Sequence, residues 1–420
     1  MRHISDPVYG AVLDGVADDT AAVQLMLDAG PGSSSIAGAK IRISAPLVLR
    51  TGTRLDAHGA RVGGSGGHSL IRNFAPEDSF TGHDGHGDIT LEGGIWDARG
   101  ELAAPEGPHA GAAWNAMTFA KGRRIVVRDL EIRNVASYHA VEVNACDGAL
   151  IDNVTARGFL LSLAHRVFSE AFQIDVAASP ASSDLGEWDG THSRDVTVRA
   201  CYAGPSLDYD PSAGTGLGPF GALAGSHTHV DDRVYDGIRI LDNVCEGALK
   251  YGVRAHAWRD PVIRGNTITG AGTNGVLVEL GAGGIVSGNV IASTASNAVN
   301  VTDTDGVIVA DNTIRDTATN YGIYLSATNA TAVTGNRVEA AATAGLRFGT
   351  GATFCMASGN TIVRGVSAGV VAISAGAGAG TVNTAIHNQL VGYTAASVAV
   401  SSGTVVVVPP AAGSAGSNVR

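Results

Sequence analysis

Short runs of alternating apolar and polar residues recur along most of the chain. Examples are Asn274-Gly-Val-Leu-Val278, Asn297-Ala-Val-Asn-Val301 and Tyr321-Gly-Ile-Tyr-Leu325. A period of two predicts strands with one face inward. Between such runs an asparagine returns at Asn243, Asn266, Asn289, Asn312, Asn336 and Asn360, at steps of 23, 23, 23, 24 and 24 residues. Two or three short strands per step make one coil of a parallel solenoid, each coil covering the next. A repeated buried asparagine stacks as a ladder whose amides bond coil to coil. Asn134 and Asn153 are expected in the same setting, Ala200 replaces the asparagine in Val198-Arg199-Ala200, and Asn388 ends the series.

One stretch breaks the strand pattern. Asp18 or Asp19 can N-cap a helix, and Val23, Met26 and Leu27 then share one stripe. A solenoid has an open apolar end, which this helix is expected to cap. The reading is therefore all-β: residues 1–32 as opening motif and capping helix, 33–402 as the solenoid, and 403–420 as final strand and tail. Within the solenoid, insertions at 159–169, 177–192 and 202–224 interrupt the coils. Loops of this length in a compact body are usually functional, and three from consecutive coils are expected to build one rim.

Composition narrows the function. Glycine at 57 of 420 residues and aromatics at 5% suit many tight turns and small packed side chains. A formal charge of −11 argues against a nucleic-acid partner. No 18-residue apolar run exists, which argues against a membrane-spanning helix. Met1 to Pro7 has no apolar core of a secretory signal. Cys146, Cys201, Cys245 and Cys355 are far apart and lie among apolar strand residues, so they are expected to be buried free thiols.

Stacking the coils His139–Asn144, Glu170–Asp175, Gly225–Val230 and Tyr251–His256 concentrates polar residues on one outer face, where the long loops emerge. Downstream coils carry Leu277, Asn300 and Tyr324 there. The candidate catalytic carboxyls are Glu142, Glu170 and Asp175. Acid–base hydrolysis needs one protonated and one ionised carboxyl group; Asp175 is read as base or nucleophile and Glu170 as acid. The candidate substrate-binding residues are His139, Gln173, Asp189, His227, Tyr251, Arg254 and His256. A lyase would instead use Arg254 with His227 or His256 as cation and base. A non-catalytic sugar ridge, or a salt-bridged surface around Arg254, uses the same residues. Trp188 and Trp258 are candidates for stacking on a sugar ring, whereas Trp96 and Trp114 read as core. His227-x-His229 lacks a third ligand, so no metal and no cofactor is called.

The segment from Tyr9 to Gln24 (Tyr-Gly-Ala-Val-Leu-Asp-Gly-Val-Ala-Asp-Asp-Thr-Ala-Ala-Val-Gln) resembles the opening motif of the pectate-lyase-like β-helix superfamily, with Leu13 where glycine is usual. The resemblance implies a single right-handed parallel β-helix. Ser169-Glu-Ala-Phe-Gln-Ile-Asp175, with its flanking coils, resembles minor tail proteins of actinobacterial phages. That implies a homotrimer on a virion tail or otherwise outside the cell, with other tail proteins and a cell-surface polysaccharide as partners. Two readings stay open: a depolymerase (glycosidase or lyase), and a non-catalytic glycan-binding adhesin or spike. A uronate epimerase is disfavoured because Asp260-Pro261 is followed by Val262.

Overall fold

A computed structural model describes residues 1–178, 188–231, 233–365, 371–376, 378–379 and 382–393, and the backbone of 398–400 and 405–408. Two compact units divide the chain, Met1–Arg239 and Ile240–Arg420.

The first unit opens with the expected helix, Thr20–Asp28, whose Val23, Met26 and Leu27 are buried. Asp19 holds the N-cap position without capping. Its carboxylate instead accepts the amides of Val12 and Leu13 at 2.7 and 3.1 Å, and Asp18 accepts the Thr20 amide at 3.0 Å. Leu13 has φ 61°, the left-handed conformation that glycine would adopt without strain. The strands Leu47–Val48, Ile71–Arg72, Met117–Ala120, Val141–Asn144, Glu170–Asp175 and Ala222–Gly225 then pair in parallel, coil on coil. Met117, Phe119, Val141, Val143, Phe172 and Ile174 point inward and are fully buried, each contributing about 1.5–3 kcal/mol of apolar burial.

In the second unit three short strands per coil repeat. The middle residues Ile263, Val286, Val309 and Val333 are buried, whereas Ile285 and Ile308 face out. The asparagine ladder runs unbroken from Asn243 to Asn388: each Oδ1 accepts both the backbone and the side-chain amide of the preceding asparagine at 2.8 to 3.0 Å. The strand Val405–Val408 pairs with Asn383–Ile386; Pro409, Pro410 and the tail to Arg420 lie outside the described residues.

Asn134 and Asn153 are not ladder residues. In the ladder coils the residue just before the asparagine is left-handed: Asp242, Gly265, Gly288, Asp311, Gly335 and Gly359. Asn134, Asn153 and Ala200 occupy that left-handed position themselves, with φ of 55°, 52° and 52°. Their side chains, where polar, bond Asp97 and Asp129. Val135, Val154 and Cys201 fill the buried place that follows. Asparagine suits both positions, because its short amide tolerates the left-handed backbone, so the motif aligns one residue out of step. All four cysteines are free and buried, as read.

Candidate functional site

In the first unit a cleft of about 280 Å³ lies over the outward side chains of Val141–Asn144 and Glu170–Asp175. The registers are those expected: Glu142 opposite Gln173, and Asn144 opposite Asp175. Arg166 reaches the cleft from the 159–169 insertion, Val176 from just past the strand Glu170–Asp175, and Ala177, Ala178 and Trp188 from the 177–192 insertion; residues 179–187 lie outside the described residues. The third insertion folds back on the strand Asp147–Leu160 through Phe159 N to Gly218 O at 2.8 Å and the Phe159–Phe220 ring contact. It adds no residue to the lining. Covered in this way, outward residues that a bare solenoid would expose become buried: Glu142 is 7%, Asn144 5% and Gln173 2% exposed.

Burial sets the electrostatics. Glu142 is raised to about 7, by burial first and by the nearby Asp175 charge second. The Asn115 amide donates to its Oε2, and the Asn144 amide to its Oε1 at 3.2 Å. Asn144 Oδ1 is buried with no partner. Turning that amide over would place Oδ1 where a protonated Glu142 can donate to it, and the two orientations differ only by hydrogen-bond logic. Asp175 is also raised, mainly by burial, but the His227 charge and the Val176 amide at 2.8 Å oppose the rise. Gln173 Nε2 donates to Asp175 Oδ2 at 2.6 Å. The Tyr235 hydroxyl, 3.5 Å from Oδ1, donates to Thr228 O at 2.6 Å.

Glu170 has a different place. It is fully buried and does not line the cleft. Burial favours its neutral form, but His227 Nδ1 at 3.3 Å outweighs that, holding Glu170 low and His227 raised as an ion pair. Burial pushes His139 down to about 3, so its ring is neutral. Arg166 Nη2 donates to His139 Nε2 at 3.1 Å, which leaves Nδ1 to donate to Glu170 O at 2.7 Å. The Arg166 guanidinium lies over the Tyr138 and Phe168 rings.

Glu170 thus does not have the environment expected of an acid: it is the ionised half of a buried pair beneath the cleft, and Glu142 is the cleft carboxyl raised to about 7. The coil after Glu170 differs from the expected stack by three residues: Ala222, not Gly225, stands opposite Glu170, and Gly225 stands opposite Gln173. The alternation alone cannot detect that shift, because the small residues Ala222, Ala224 and Gly225 carry little pattern. His227 consequently lies past the strand end, at the cleft. Asp189 does not line the cleft; its Oδ2 accepts Lys121 Nζ at 2.9 Å and the Gly82 amide at 2.6 Å. Tyr251, Arg254 and His256 lie in the second unit and are not among the lining residues. There Arg254 Nε and His256 Nδ1 meet Glu279 Oε1 at 2.7 and 2.9 Å, and Arg254 lies over the Tyr251 ring. Trp258 is buried along with Trp96 and Trp114, whereas Trp188 is 44% exposed. Sequence reasoning missed Asn115, Tyr138, Arg166 and Lys121. The pairing of one arginine with an insertion, and three lysines against 25 arginines, were the available signals. No group of three or more metal-ligating side chains occurs among the described residues.

Residues 231–391 match the family model for the right-handed beta helix region. Plasmin and fibronectin-binding protein A of Streptococcus pneumoniae is 23% identical over 281 residues, a match covering 61% of this chain and 38% of that protein. The crystal structure of PfbA, a surface adhesin of S. pneumoniae, superposes with a TM-score of 0.68 at 18% identity, over 86% of this chain and 90% of that one. The A-module of the Azotobacter vinelandii mannuronan C-5 epimerase AlgE6 gives 0.63 at 17%, over 98% and 100%. A mutant tailspike of Escherichia coli bacteriophage HK620, in complex with pentasaccharide, gives 0.56 at 14%, over 96% and 75%. These likenesses agree with the parallel coils: the chain is a right-handed parallel β-helix protein.

Proposed function

We propose that the first unit binds a cell-surface polysaccharide in this cleft and hydrolyses it, with Glu142 as general acid and Asp175 as its ionised partner. One observation carries this reading. Burial raises Glu142 to about 7, whereas the rise of Asp175 from 3.8 is opposed by the His227 charge and the Val176 amide, so two carboxyl groups on neighbouring coils hold a proton unequally, as glycoside hydrolysis requires. Asp175 sits one coil over and two residues along from Glu142, so their Cα atoms are about 8 Å apart by strand spacing. Carboxyl groups that keep such a spacing would leave room for a water between a general acid and a general base. The Glu142 proton passes to the glycosidic oxygen as its bond to C1 breaks. Asp175 takes a proton from the water whose oxygen bonds C1. A lyase has less support, because Arg254 and His256 are occupied by Glu279.

The likeness to a tailspike crystallised with a pentasaccharide supports a glycan ligand and a place on a virion tail or otherwise outside the cell; a homotrimer and attachment through other tail proteins rest on the sequence resemblance alone. The likeness to PfbA supports a second reading, a surface adhesin; that it would hold a glycan in this cleft without turnover rests on the sequence reading. The experiment is oligosaccharide release from a panel of bacterial capsular and cell-wall polysaccharides, followed by mass. Saturated products from the native protein, lost in Glu142→Gln and Asp175→Asn with folding intact, are expected. Unsaturated products would replace hydrolysis by elimination, and binding without release would favour the adhesin.

A further inference from the structure

Lys121 is one of three lysines in the chain, and its side chain is 0% exposed. A buried ammonium without a partner would lose its charge, so its partner matters. That partner is Asp189, 68 residues away on the 177–192 insertion, with Nζ to Oδ2 at 2.9 Å. The lysine end of the contact is rigid. Lys121 is left-handed at φ 54°, its amide donates to Asn144 O at 2.8 Å, and its carbonyl accepts the Gly85 amide at 2.8 Å. The Asn73 side chain clamps Ala120 from both sides, accepting its amide at 2.7 Å and donating to its carbonyl at 2.9 Å. The Asp189 carboxylate also accepts the amides of Gly82 and Thr191 at 2.6 and 3.0 Å.

Among the described residues, backbone bonds of the insertion tie Ala177 to Gly190 and Thr191, and Arg233 Nη1 donates to Gly190 O at 2.9 Å. Ala177 N bonds Thr191 O, and Gly190 N bonds Ala177 O, both at 2.9 Å. Trp188 lies two residues before Gly190, lines the cleft and is half exposed. We infer that Lys121 is a positioning residue. Through the Asp189 carboxylate it latches the insertion to the coil beneath and fixes the Trp188 indole as one wall of the cleft, a subsite for the apolar face of a sugar ring. The wall faces the same cleft as Glu142 and Asp175, so the sugar class rests on the glycan reading, whereas the latch does not. Stacking needs a flat apolar face held still, and a pre-fixed indole binds a ring without first losing its own freedom.

The test uses the full chain without any glycan. Trp96, Trp114 and Trp258 are buried, so acrylamide quenching of tryptophan fluorescence reports on Trp188. Trp188→Phe should abolish most of the quenching and establishes that assignment. Lys121→Met keeps the buried volume, and Asp189, with 27% of its side chain exposed, can hydrate its charge. A rise from 44% toward full exposure gives about a twofold larger quenching constant in Lys121→Met. Asp189→Asn, which keeps an oxygen for the two amides but loses the charge, should rise by less. An unchanged constant in a folded Lys121→Met protein would overturn the latch. Should that variant fail to fold, Asp189→Asn alone decides, by the same criterion. This outcome is independent of whether any polysaccharide is cleaved: silence on the panel would sink the hydrolase and leave the latch standing.

Discussion

Asn312→Ala removes one rung from the middle of the ladder. Its Oδ1 accepts the Asn289 backbone amide at 3.0 Å and the Asn289 side-chain amide at 2.9 Å, while its Nδ2 donates to Val286 O and to Asn336 Oδ1, both at 2.9 Å. After truncation the Asn289 side chain keeps its bond to Ile263 O, and Asn336 Oδ1 keeps the backbone amide of residue 312. The Asn289 backbone amide keeps nothing. One fully orphaned buried donor costs about 1–3 kcal/mol, and the three further lost bonds add net losses of about 0.5–1.5 kcal/mol each, some of which relaxation recovers. A loss of roughly 3–5 kcal/mol is expected. Urea unfolding reads it, with amide hydrogen exchange over 285–340 as the local measure. Asn153→Gly is the control: Asn153 is exposed and left-handed, and glycine keeps that backbone, so the change should stay within about 1 kcal/mol. Equal effects in the two variants, or a loss below about 1 kcal/mol in Asn312→Ala, would refute the ladder as a source of stability.

Two other perturbations separate support from chemistry. Glu170→Gln removes the negative partner of His227 while leaving the cleft lining in place, so it should destabilise the fold by about 3–5 kcal/mol, measured by thermal unfolding; a variant as stable as the native protein but inactive would instead make Glu170 a catalytic group. Leu13→Gly relieves a left-handed backbone at a cost to chain entropy, and a gain of about 0.5–1 kcal/mol is expected in the same assay; destabilisation would mean that the Leu13 side chain outweighs the strain.

The coil architecture was readable because its requirement repeats. A 23-residue step, an inward apolar pair and a stacked asparagine recur, and each recurrence tests the last. The capping stripe at Val23, Met26 and Leu27 was legible for the same reason that any amphipathic helix is. The site was only half readable. Glu142, Gln173 and Asp175 came from strand alternation, which also fixed their registers. His227 came to the cleft by a different register, because the strand Ala222–Gly225 is made of small residues that carry no phase. The identity of the acid was legible only in part. Glu142 alternates with the inward Val141 and Val143, whereas Glu170 shares the phase of the inward Phe172 and Ile174; the histidine 57 residues away that ion-pairs Glu170 and not Glu142 lies beyond what alternation encodes. Arg166, Trp188 and the Lys121–Asp189 contact belong to loop folding, which strand periodicity does not encode.

The central claim is that Glu142 takes up its proton near pH 7, with burial and the neighbouring Asp175 charge as causes. Carboxyl carbon-13 NMR of the intact protein tests it without any substrate. The prediction is a Glu142 midpoint near 7 in the native chain, moving down in Asp175→Asn because one of the two causes of the rise is removed. Since the folded value is raised, the folded state binds a proton that the unfolded chain has released. Stability should therefore be full below the ordinary glutamate value of 4.5 and decline as pH rises through about 7. Glu142→Gln should abolish that decline. A midpoint near 4.5, unmoved by Asp175→Asn, would contradict the account and leave the cleft a binding surface without an acid.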